Sequence, residues 1–230
     1  MTWQAYLKGD AFDLDTLTHL FPIGEVRVQS DAEGVYVTGP LLDATTSAGD
    51  ALRVAKEWLP MLNSAARVLE SSFRPVEVQG SIVGEDGNRH LFVEANLTAR
   101  ARLTASVTVD PPNVPPLMPR GTELMQRAAA DHNLAEAMVH ISGLRVDWGE
   151  LYKAFEVLKD AAGGSNELSR RTGVSKRRLK AFTGSANHPA VSGTDGRHAR
   201  PSGPPPKDTM TIEEARALVN LLVSSWQSGA

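Results

Sequence analysis

Nine basic side chains lie between Leu168 and Lys207: Arg170, Arg171, Lys176, Arg177, Arg178, Lys180, Arg197, Arg200 and Lys207. One acid, Asp195, accompanies them, so this stretch is 9 − 1 = +8. The whole chain of 230 residues carries −3, and the remainder therefore sums to −3 − 8 = −11. Such asymmetry suits a polyanion, or an acidic surface of the same protein. Two chemistries share the stretch. Lys176, Arg177, Arg178 and Lys180 crowd together and supply charge for phosphates or base edges. Arg197 and His198 differ: an imidazole can move a proton beside a guanidinium that stabilises developing charge, as in RNA cleavage. With Asn187 and Lys207 they offer amide, guanidinium, imidazole and ammonium donors, a set that suits a phosphate or carboxylate.

The first group needs a helix anchored on its other side. Leu168 and Ser169 would lie on one helix, Gly173-Val174 at a turn, and Leu179 and Phe182 on the inward face of a second helix. Ser169, a small residue four before the glycine, lets two helices cross closely. Over residues 166–183 this spacing resembles the helix-turn-helix of many bacterial DNA-binding repressors. The resemblance implies that Lys176, Arg177 and Lys180 reach bases or phosphates from the start of a recognition helix. Arg170, Arg171, Arg178, Asn187, Arg200 and Lys207 complete the candidate nucleic-acid-binding set.

The second group is expected on a loop over 184–209, which holds four glycines, five prolines and few apolar residues. A wider pattern runs through it. Tyr152-Lys153-x-x-Glu156, Phe182, Ala186-Asn187, Gly193, Arg197-His198, Pro205-Pro206-Lys207, Met210-x4-Ala215-Arg216 and Trp226 succeed one another over 148–226. This succession resembles a family of uncharacterised bacterial proteins of similar size, with an Ala-Asn … Arg-His … Pro-Pro-Lys loop as its mark. A helical bundle with a polar Arg/His loop before a final capped helix is also similar to Abi-like and HEPN-type (higher eukaryote and prokaryote nucleotide-binding) domains. That resemblance implies action on RNA in a toxin or antiphage system, with Arg197 and His198 catalytic if the protein is a ribonuclease. Arg197 and His198 are adjacent here, whereas the HEPN pair stands several residues apart.

The remaining elements must carry these groups. Helix 122–141 contains Arg127 and His132 at the HEPN Arg-x4-His spacing, a match expected by chance about once in this composition. His132, Glu136 and His140 share a helical face opposite Leu134, Met138 and Ile141, and read as a solvated face; no metal is expected. Trp148, Leu151, Tyr152, Phe155 and Leu158 predict a helix over 148–162, stopped by Gly163-Gly164. Thr211-x-x-Glu214 is a capping box opening the last helix.

Towards the N-terminus, alternation at Trp3, Ala5 and Leu7 predicts a strand, and Asp13 or Asp15 is expected to cap a short helix. Val26–Val37 reads as a hairpin turning at Asp31–Gly34. A helical period from Ser47 to Ser72 passes straight through Pro60 and predicts one kinked helix rather than a break. Val76, Val78 and Ile82 form a strand before the Asp86-Gly87 turn. From Leu91 to Val109 every odd position is apolar, a long strand with one buried face.

The expected fold class is α+β: an antiparallel sheet with two helices over 1–110, a Pro-rich linker over 111–120, and an all-α domain over 121–230. The absence of cysteine excludes disulfides, thiolate nucleophiles and Cys-ligated metals. No signal peptide or membrane span is evident, so a cytoplasmic location is expected. No cofactor is implied. The functional expectation is nucleic-acid binding, RNA ahead of DNA. The alternatives are a DNA-binding regulator using 166–183, or a non-enzymatic module whose acidic parts engage the basic segment in a homo-oligomer.

Overall fold

Gln4–Lys8 (β1) begins the order of elements in a computed structural model that describes residues 2–92, 119–143, 146–195, 204 and 206–227. It is a central strand, and Ala5, Tyr6 and Leu7 are all buried, as covering on both faces requires. The other strands are Arg27–Asp31 (β2), Gly34–Thr38 (β3), Glu77–Val83 (β4) and Arg89–Leu91 (β5). They pair antiparallel in the order β2-β3-β1-β4-β5. Two hairpins sit where turn chemistry placed them. Asp31 Oδ1 accepts from the amides of Glu33 and Gly34, and Gly87 takes φ +74° between β4 and β5. The long alternating segment is described only as far as Phe92. Its remainder and the proline-rich residues 111–118 lie outside the described residues.

The sheet is accompanied by Ala11–Leu20 (α1), the short Pro40–Asp43 (α2) and Ala48–Leu69 (α3), three helices where two were expected. Pro60 lies inside α3, which remains one helix of 22 residues. Its buried Asn63 exchanges two 3.0 Å hydrogen bonds with the backbone of Val76, pinning the entry to β4. The cap of α1 is Asp10, not Asp13 or Asp15. Asp10 accepts from Phe12 N–H, while Asp13 is buried and accepts from Arg74 N–H at 3.0 Å.

The described chain forms two compact units, 1–66 with 73–123 and 67–72 with 124–230. The second is helical: Arg120–Ala130 (α4, from Leu124 onward), His132–His140 (α5), Trp148–Ala162 (α6), Ser165–Thr172 (α7), Lys176–Asn187 (α8), Pro189–Ser192 (α9) and Ile212–Ser225 (α10). The single helix expected over 122–141 is broken at Asp131. Its carboxylate caps α5 through Asn133 and Leu134 N–H and also accepts Trp226 Nε1–H at 2.8 Å. The capping box opens α10 as expected.

The loop expected over 184–209 is helical as far as Asp195: α8 continues to Asn187, then come α9 and a 3-10 turn at Gly193–Asp195. Fully buried Ser185 and Ala186 explain the continuation, since small residues fill a tight core contact without raising hydropathy. His188 caps α9, its side chain accepting from Ala190 N–H with Pro189 at the first turn. No helix among the described residues is long and apolar enough to cross a membrane.

Candidate nucleic-acid interface

Phe182 is the anchor from which the basic segment is built. It is fully buried, with ring centroids of Phe155, Trp148 and Tyr152 at 5.2, 6.2 and 6.3 Å. All three partners lie on α6, so α8 is seated on α6 through aromatic contact. Phe to Ala changes in such settings cost about 3–5 kcal/mol. The α7–α8 connection is only Gly173, Val174 and Ser175. Gly173 adopts φ +72°, the left-handed region that a side chain disfavours, and its N–H bonds Ser169 O at 3.0 Å. Ser175 caps α8 by accepting from Arg178 N–H. Leu168, Thr172, Val174, Leu179 and Phe182 all face inward. Thr172 tolerates burial because its hydroxyl donates to Leu168 O at 2.7 Å.

Helical periodicity then dictates the outer face. Leu179, Phe182 and Ala186 take the core side and Arg177 and Lys180 lie opposite; further along that side Ala181 is buried and Pro206 packs close to Gly184, so the open part of the face is its first turns. Lys176, Arg177, Arg178 and Lys180 are all exposed. Arg177 donates from Nε and Nη2 to the two oxygens of Asp208, at 3.1 and 3.0 Å. The Arg177 guanidinium holds the Asp208 carboxyl below the usual range, with Lys180 adding a smaller effect. Lys176 and Arg178 make no ion pair among the described residues.

The two basic residues of α7 are placed differently. Glu167, three and four positions earlier, pairs with both Arg170 and Arg171. The hydrogen bond from Arg170 is the main cause that holds the Glu167 carboxyl down at about 2. Arg171 is half-buried with its guanidinium 5.5 Å from the Trp226 ring centroid, a cation–π contact internal to the bundle.

A cleft of about 570 Å³ opens between α8 and the residues Pro204, Pro206, Lys207 and Asp208. Arg177, Lys180, Asn187, His188, Pro206 and Lys207 contribute to its walls. The structure therefore unites Asn187 and Lys207, expected on a separate loop, with the cations of α8. Asn187 lies on the last turn of α8, and its Oδ1 is buried with no hydrogen-bond partner among the described residues. Arg197, His198 and Arg200 fall outside the described residues, so the expected catalytic pair receives no geometry here.

Arg127 and His132 have separate attachments. Arg127 donates to the carbonyls of Ser224 and Trp226 at the end of α10, while exposed His132 lies beside Glu136 at 3.5 Å. His140 bonds Glu150 at 2.9 Å. No group of three His, Cys, Asp or Glu among the described residues could hold a metal ion. Two participants escaped the sequence pattern. Ser175 could have been found as a cap residue just before a helical run. Asp208 had no local signal, since its partner is 31 residues away. Comparison with known proteins finds no matching family model, curated protein or solved structure.

Proposed function

We propose that this protein binds double-stranded DNA as a helix-turn-helix, with α8 as the recognition helix in the major groove. One observation carries the reading: a three-residue turn opened by left-handed Gly173 joins two helices whose inward positions are buried, and α8 presents exposed Lys176, Arg177 and Lys180 from its first turns. α6 backs both helices, which is the support a reading helix needs. A helix enters the wide major groove of B-form DNA, whereas the deep, narrow major groove of A-form RNA excludes it. That favours duplex DNA over the RNA reading. The HEPN-like ribonuclease reading rests on Arg197 and His198 and gains no support from the described residues.

The test is electrophoretic mobility or fluorescence anisotropy with duplex DNA, single-stranded RNA and transfer RNA over a salt series. Duplex binding should weaken linearly in log–log form, by about 0.9 in slope per phosphate contact. Salt-independent behaviour on every nucleic acid, or tighter binding to RNA than to duplex DNA, would overturn the proposal.

A further inference from the structure

We propose that Arg177 reads a guanine and that Asp208 is the residue that aims it; the inference rests on the duplex-DNA reading above. Asp208 accepts from Nε–H and from one Nη2–H of Arg177, which form one edge of the planar guanidinium. Three of the five N–H donors remain. Two of them, one on each Nη, lie parallel along the terminal edge. That edge is the fork that pairs with O6 and N7 of guanine in the major groove. Asp208 thus leaves the reading edge open while fixing the plane that carries it. Without such a partner, a side chain 80% exposed would sample many rotamers and lose them on binding.

Asp208 is itself held from both sides. Pro206 lies so close to Gly184 that an added Cβ there would meet the proline ring at 3.1 Å. Met210 N–H donates to buried Ser185 Oγ at 2.8 Å. The carboxylate is therefore delivered by a segment fastened to the same helix that carries Arg177. Lys180 and Lys207, on the walls of the adjoining cleft, are left for phosphates. A different role for Asp208, occupying Arg177 and blocking DNA, predicts that its removal tightens binding without changing discrimination.

The experiment selects duplexes from a randomised pool with the full chain. Anisotropy at fixed salt then compares the selected duplex with versions in which single G·C pairs are replaced. The expected result is roughly tenfold to hundredfold discrimination at one guanine, lost in Arg177→Ala. Asp208→Asn should keep or tighten duplex binding, yet shrink that discrimination several-fold. Glu213→Gln removes an exposed acid from α10 and should leave discrimination intact. If Asp208→Asn tightens binding to every duplex with discrimination unchanged, Asp208 is a blocker and the proposal fails. It fails equally if the wild type binds duplexes without preference, or if Arg177→Ala selects the same sequence. Absence of any duplex binding by the wild type removes the DNA reading together with this one, an outcome distinct from the others because no titration curve exists.

Discussion

Helices α7 and α8 are both short and both basic, yet they treat their cations in opposite ways. α7 answers Arg170 and Arg171 from within, through Glu167 three and four residues earlier. α8 holds no acid in its sequence KRRLKAFTGSAN, and Arg177 is answered from 31 residues away. A pair at i,i+3 or i,i+4 forms wherever the helix forms and supports the helix itself. A distant pair exists only when the fold exists, and it sets the direction of a side chain. Equal charge counts therefore conceal a helix-supporting group and a group available to a partner.

The harshest way to break the contrast is Phe182→Ala, which unseats α8 from α6 and should cost about 3–5 kcal/mol in denaturant unfolding, with duplex binding lost alongside. Charge reversal sharpens it: Lys176→Glu with Arg177→Glu should reduce duplex affinity at least about tenfold and lower the salt slope by about one, for the phosphate contact of Lys176. Arg170→Ala, by contrast, should change the titration less than about twofold, an asymmetry that vanishes if α7 and α8 contribute alike. The turn comes next. Gly173→Ala forces a side chain into φ +72° and should destabilise by about 1–2 kcal/mol, while Ser175→Ala removes a cap worth about 1 kcal/mol. Both are read from unfolding curves.

The smallest effect concerns acid. The Glu167 carboxyl is depressed from 4.5 to about 2 in the fold. Its stabilisation is present above pH 4.5 and is lost as pH falls towards about 2. Glu167→Gln should flatten the stability profile across that window, by a modest amount because the pair is exposed. An unchanged profile would show that α7 does not depend on its internal pair.

Local pattern carried much of this architecture. Thr211 and Glu214 announced α10, the aromatic spacing bounded α6, and Gly173 marked the turn, because each signal lies within a few residues of its effect. Pro60 was legible as part of a helix because the apolar period on either side stayed in phase. Failures share a different physical cause. Asp131 breaks a helix by bonding two amides and a distant indole, and nothing in its neighbours encodes Trp226. Asp10, Asp13 and Asp15 carry the same capping signal, and only the fold shows that Asp10 serves the helix while Asp13 turns to Arg74. The continuation of α8 was hidden because Ser185 and Ala186 fill core space without apolar bulk. The same bond from Met210 that buries Ser185 also holds the segment carrying Asp208, so the most informative contact of the site was the least visible in the sequence.

Trp226 has an optical consequence. Its indole is fully buried, donates to Asp131, and has the Arg171 guanidinium on its ring. Such an environment fixes the emission wavelength and quenching of this one fluorophore. The difference spectrum between the wild type and Trp226→Phe therefore isolates a built-in gauge of α7. When a ligand is titrated, a shift in that signal reports that α7 has moved, and a constant signal reports that only the surface of α8 has responded.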